Sequence, residues 1–178
     1  MITPQFRTGE MPFEVGFIGA YDNAEQFGAQ MQKWVHESGA VSQAYADALD
    51  CSHALMASYT ILEPDGEPGD GVVWFARCSL DDDGGMADAM ASHSSVSAMM
   101  VEMEAPGASW ILAPSLGVGD VEFDYYHVAA WPSYAALGKA FEAYMNGGGI
   151  GKANAAMDDV AHCSSPNLYD AVNIIAAP

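Results

Sequence analysis

The chain has 178 residues, 51% of them hydrophobic, with five Lys and Arg against 24 Asp and Glu and a formal charge of -19. That length suits one large domain or two small fused ones around an ample core. The five cations, Arg7, Lys33, Arg77, Lys139 and Lys152, are scattered, so neither the phosphate neutralisation that nucleic acid needs nor a polybasic anchor for an anionic membrane is available, and both partners are excluded.

The leader MITPQFRTGEMP is short and polar and lacks a basic segment followed by an apolar one. No stretch reaches the roughly 20 apolar residues that cross a bilayer. A cytoplasmic protein is the default expectation, although a signal peptide already removed would leave no trace here.

Phe13–Ala20 alternates as a strand should, and Asn23 or Asp22 can cap a helix running to about Glu37 with Phe27, Met31, Trp34 and Val35 as its buried stripe. Val41–Asp50 reads as a second helical segment or a long loop, and Leu55–Leu62 as the next strand. The Pro- and Gly-rich acidic turn Glu63–Gly71 is a hairpin-like connection to a strand at Val72–Leu80. Asp81–Asp83 with Gly84-Gly85 opens a helix over Met86–Met103, rich in methionine, and Ala108–Leu116 is the return strand.

The stretch Val121–Asn146 organises the rest. Phe123, Tyr125, His127, Ala129 and Trp131 fall on one face of a strand apolar on both sides. The strand breaks at Trp131-Pro132-Ser133, with Pro132 in a first helical turn. A helix follows with Leu137, Phe141, Tyr144 and Met145 at three- and four-residue spacing, and Gly147–Gly149 ends it. The final strand is Tyr169–Ala176.

Laid beneath this stretch, Phe13–Trp34 matches without a gap: Phe13 on Phe123, Ile18 on Val128, Gly28 on Gly138, Trp34 on Tyr144. Gly39 then falls on Gly149 and, after a two-residue insertion, Cys51-Ser52 on Cys163-Ser164. We read an internal repeat. The expected fold is α+β: three ferredoxin-like β-α-β units, six strands in an antiparallel sheet with helices on one face. Residues 1–118 would form a two-unit domain. Residues 119–178 would form a third unit repeating 13–62, packed on the first or paired across a dimer.

A strand such as FEVGFIGAY or FDYYHVAAW followed by a helix such as NAEQFGAQMQKW resembles the dimeric α+β barrel superfamily. That resemblance implies a homodimer with sheets paired between subunits, and a small organic molecule held between sheet and helices without a cofactor. The third unit departs from the single domain usual there.

His127 stands where the first repeat carries Phe17, an apolar-to-His change that suggests an acquired polar role: proton transfer or ligand orientation with a nearby tyrosine. Its alternative is a core histidine satisfied by a neighbour. Tyr125, Tyr126, Trp131 and Tyr144 are the companion ligand-binding candidates. His36 and Asn146 read as residues near helix C-termini, and the adjacent His162-Cys163 as no dyad, since neighbours in a strand face opposite ways.

Cys51, Cys78 and Cys163 have no CxxC spacing and read as buried free thiols rather than a disulfide framework or zinc site. The acidic loops Asp65–Asp70 and Asp81–Asp83 miss the EF-hand spacing and read as solvated turns, so no metal is expected. Two functional classes follow: a small-molecule binder or cofactor-independent enzyme with an apolar pocket between sheet and helices, or a non-catalytic self-assembling protein.

Overall fold

The computed structural model describes residues 1–6, 13–66, 69–82 and 84–174. Among them the elements run β1 (Ile2–Phe6), α1 (Ala24–Glu37), α2 (Ala40–Ala48), β2 (Leu55–Leu62), β3 (Gly71–Leu80), α3 (Met86–Glu102), β4 (Ala108–Leu116), β5 (Tyr125–Trp131), α4 (Tyr134–Met145), α5 (Gly149–Met157), β6 (Ala161–Cys163) and β7 (Asn167–Ala171). All seven strands join one antiparallel sheet in the order β1-β7-β3-β5-β4-β2, with β6 paired to β3 beside β7.

The α+β class and antiparallel sheet agree with the sequence reading, whereas the expected six strands and three helices are corrected to seven and five. β1 lies in the supposed leader; its Pro4 is tolerated because β1 is an edge strand, with β7 as its neighbour among the described strands. Phe13–Ala20 forms no strand. Alternation marks a half-buried segment but supplies no neighbour, and only one bridge, Gly16 to Ile2, is made there.

The second correction concerns connectivity. β2 pairs with β4 rather than with β3, so the acidic turn at 63–71 crosses two strands instead of closing a hairpin. The consecutive strands that do pair directly are β4 and β5. The β-α-β-β-α-β succession therefore runs from Gly71 to Ala171, and β5 and β7, from the stretch after residue 118, flank β3, from the stretch before it.

β5 is central and buried on both faces, as its sequence requires. Tyr125, Ala129 and Trp131 face α3 and α4, where Trp131 packs with Val72, Ala105, Leu137 and Ala140, and Tyr125 with Cys78, Ala89, Ile111 and Ala161. Val128 faces the other way, with Val73, Tyr169 and Ile2. Ser133, not the first turn containing Pro132, caps α4 by accepting from the Ala136 N–H at 3.1 Å. The glycine run ends α4 and also starts α5, Gly148 adopting φ 86°.

α1 is capped by Asn23, whose Oδ1 accepts from Gln26 N at 2.9 Å. Its expected buried stripe is not buried: neither α1 nor α2 contains a buried residue, and Met31, Trp34 and Val35 are exposed. The two helices hold one another instead, through the edge of Trp34 against Tyr45 at 5.7 Å. They match α4 and α5 in order, each pair ending in a nine-residue helix that opens on a positive-φ glycine.

Two glycines report opposite demands. A Cβ at Gly71 would lie 2.3 Å from the Trp131 carbonyl oxygen, whereas one at Gly138 in α4 would meet nothing within 4 Å. Gly71→Ala should therefore destabilise by about 1–3 kcal/mol, and Gly138→Ala should stabilise by about 0.5–1 kcal/mol through helix propensity. Urea denaturation of both variants checks the pair.

Candidate functional site

The sheet face beneath α3 carries a compact polar group. The β3–β5 register sets Cys78 beside Tyr125 and Ala76 beside His127, and the β4–β5 register sets Ile111 beside His127, with Ser109 two residues away on the same face. From above, α3 lowers His93 onto this patch. Ala89 and His93, four residues apart, are buried on the sheet side of the helix.

His93 Nε2 lies 3.0 Å from the Tyr125 hydroxyl, and Ser109 Oγ lies 3.0 Å from His127 Nε2. The two imidazoles stack, with centroids 4.1 Å apart and planes 23° off parallel. Tyr125, Ser109 and His93 are buried, and His127 is partly so.

Burial holds both histidines uncharged. It lowers the His93 pKa from 6.5 to about 4, and burial reinforced by repulsion from His93 lowers that of His127 to about 3. The Tyr125 phenol is pushed up to about 12 by burial and by the Asp124 carboxylate. A phenol that keeps its proton needs an acceptor, and Nε2 of neutral His93 can supply one. His127, an imidazole whose pKa burial holds this far below neutrality, is a weak base toward the Ser109 hydroxyl. It can donate or accept a hydrogen bond as a fixed, neutral group.

Next to this group lies an aromatic cluster. Trp74 stands edge-on to His127 at 6.3 Å, to Trp131 at 4.8 Å and to the exposed Phe141 of α4 at 5.8 Å. The indole Nε1 atoms of Trp74 and Trp131 are both buried and have no hydrogen-bond partner among the described residues. Gly107 closes the side of Trp131, since a Cβ there would reach the ring at 2.6 Å.

Of the residues chosen from sequence, Tyr125, His127 and Trp131 come together on this face. Tyr126 points to the opposite face, against Phe75 and Phe123, as its place next to Tyr125 requires. Tyr144 lies half-buried at the α4–α5 junction, where Gly149 crosses its backbone. Asn146 is the C-cap of α4, and His36 lies in the last turn of α1.

His93 and Ser109 escaped the sequence reading, yet each left a signal. His93 is one heptad from both Met86 and Met100, and Ser109 shares strand parity with the core residue Ile111.

The cysteines correct an expectation. Cys78 and Cys163 form a disulfide, and only Cys51 is free, and exposed. The bond joins directly opposed residues of β3 and β6, a pairing invisible to spacing because the two lie 85 residues apart. His162, next to Cys163, pairs with Asp81 at 3.2 Å. The acidic loops cannot be followed throughout, since Glu67, Pro68 and Asp83 lie outside the described residues.

Comparison with protein-family models, curated proteins and solved structures finds no match to this chain.

The histidine pair makes stability depend on pH with a definite sign. Both folded pKa values lie below the ordinary 6.5, so the unfolded chain binds more protons and stability falls as pH falls below 6.5, until the folded histidines themselves titrate near 4 and 3. The melting temperature should fall between pH 6.5 and 5, above the ordinary carboxylate range. The double variant His93→Phe/His127→Phe should flatten that slope; circular dichroism melts across the window check it.

Proposed function

We propose that the protein binds a small apolar or aromatic molecule bearing a hydrogen-bond acceptor, held where Trp74, His127 and Trp131 meet between sheet and helices. The observation that carries this reading is the pair of buried, unpartnered indole N–H groups beside a neutral histidine. Buried donors are normally paired, and leaving one without an acceptor costs about 1–3 kcal/mol. Two on neighbouring strands suit a carbonyl or phenolic oxygen supplied by a ligand. His127 then orients the ligand; proton transfer at that ring would require a bound anion to bring its pKa back toward neutrality.

The strand order supports an architecture of the ferredoxin-like kind. Within Gly71–Ala171 the successive strands β3, β4, β5 and β7 lie in the order fourth, first, third, second, so each β-α-β crossover has an antiparallel strand between its two strands. This is the arrangement on which the likeness to the dimeric α+β barrels rests. The matching helix pairs α1-α2 and α4-α5 favour the internal repeat, with 13–62 as a unit whose first strand has lost its ladder.

A thermal-shift panel of aromatic carbonyl and phenolic compounds tests the binding reading. A ligand at 100 times its Kd should raise stability by about 2.7 kcal/mol. His127→Phe, which copies the first repeat, should fold and lose that response. Trp74→Phe should leave the ligand-free protein as stable as before while weakening binding at least tenfold. Unchanged affinity in a folded His127→Phe protein would sink the assignment.

Self-association has its own support in the apolar residues left open on the α1-α2 arm and its approach, among them Phe17, Ile18, Trp34, Val35 and Val41. In this second reading the arm packs on another copy of the chain and the protein is a homodimer. Light scattering at low micromolar concentration should give twice the chain mass of 18.8 kDa, and Val35→Glu/Val41→Glu should return it to the monomer.

A further inference from the structure

The Cys78–Cys163 disulfide is accompanied by a histidine that a purely structural crosslink does not need. A ring nitrogen of His93 and the two sulfurs all lie within 4.8 Å of one another. Cys78 and His93 are buried, Cys163 is exposed, and an open cleft of about 610 Å³ reaches Cys163 from solvent, with Asp120 and Glu122 among its walls. The Tyr125 hydroxyl, 3.0 Å from His93 Nε2, holds the imidazole in place beside the sulfurs.

The geometry points to a second chemical state of these residues: with the disulfide reduced, Cys78, Cys163 and His93 hold one Zn²⁺ ion as two thiolates and one imidazole, water from the cleft taking the fourth position. In a tetrahedral zinc site, bond lengths of 2.0–2.3 Å place ligand atoms roughly 3.5–3.8 Å apart. Opening the S–S bond frees both sulfurs to turn about Cα–Cβ toward that spacing, from a starting separation of the three atoms within 4.8 Å. The ladder beyond the pair, through Ser79 with His162 and Leu80 with Ala161, keeps the two strands side by side once the bond is open.

The reductant is a dithiol. One of its thiolates attacks the exposed Cys163 sulfur, Cys78 leaves as thiolate, and the second thiol resolves the mixed disulfide, so two electrons pass to the protein and the dithiol becomes a disulfide. Zinc binding then displaces the two thiol protons to solvent. Exchange with the disulfide form of the same dithiol runs this step in reverse: the two electrons pass back to that disulfide, the Cys78–Cys163 bond re-forms and the ion is expelled, so the same three side chains exclude metal in one redox state and bind it in the other. Soft sulfur donors select zinc against calcium and magnesium, which the many carboxylates of this chain would otherwise attract.

The test uses the full chain, reduced with a phosphine, freed of reductant under anaerobic conditions and titrated with Zn²⁺ against a chromogenic chelator in millimolar Mg²⁺. Reduced protein, with Cys51→Ser to remove the free thiol, should bind one equivalent, and oxidised protein none. Co²⁺ in place of zinc should give a thiolate-to-cobalt charge-transfer band. Cys163→Ser and His93→Gln should each weaken binding by more than the roughly 10- to 100-fold that loss of a mere outer partner of a ligand costs.

Should reduction unfold the chain, added Zn²⁺ should restore its far-ultraviolet dichroism. The proposal is overturned if the reduced protein takes up no zinc or is not refolded by it. It is equally overturned if Mg²⁺ displaces the ion, or if neither variant alters the affinity.

Discussion

Strand β3 carries the construction of this protein. It is bonded along one side to β5 and along the other to β7 and then β6, and the candidate site depends on those two registers. A slip of one residue against β5 would send Tyr125 and His127 to the face away from α3, and the same slip against β6 would separate the two sulfurs. The apolar demand on both faces of β5 resists such a slip, since Tyr125, Val128, Ala129 and Trp131 are all buried where they stand.

Much of the body was legible in the sequence because its elements announce themselves locally. β2 and β4 coincide with the alternating runs at Leu55–Leu62 and Ala108–Leu116, β3 and α3 differ from their expected bounds by one residue at one end, and Asn23 begins α1 as its chemistry requires. What was not legible is which strand lies beside which. Alternation states that a segment has a buried face and says nothing of its neighbours, so β2 was assigned to β3 although it sits by β4, and Phe13–Ala20 was assigned a ladder it does not have. The site divided along the same line. His127, Tyr125 and Trp131 share one strand and one parity, whereas His93, Ser109 and Trp74 reach them only through tertiary pairing. The disulfide belongs to the second kind as well.

Stacked neutral imidazoles at the centre of a chain with 24 carboxylates form an odd electrostatic pairing. A large negative potential would ordinarily favour protonated histidine, and burial overrides it because the ion would lose its hydration in a site where the described residues supply neither histidine with an ion-pair partner. The acidic surface and the neutral interior are therefore separate features. The first bears on solubility and on the partners excluded; the second sets which hydrogen bonds the site can make. The same separation explains why methionine, alanine and aromatic side chains surround the histidines while the acidic residues collect in turns and on helix exteriors.

The disulfide also fixes the connectivity of the denatured chain. Cys78 and Cys163 are 85 residues apart, and between them run α3, β4, β5, α4 and α5. Oxidised, the unfolded polypeptide is a covalent ring with two tails, and in the chain-entropy view that ring favours the folded state by on the order of 4 kcal/mol. β1, the α1-α2 arm and β2 all belong to one tail, outside the ring, so the crosslink closes the helices over the sheet into one loop, while the N-terminal strands hold to the sheet through the β1–β7 and β2–β4 ladders without help from the crosslink. The molecule thus joins a ring-closed body to an arm outside the ring, and a proteolytic cut within residues 24–48 would leave the N-terminal fragment held to the body only by noncovalent contacts, the β1–β7 ladder among them.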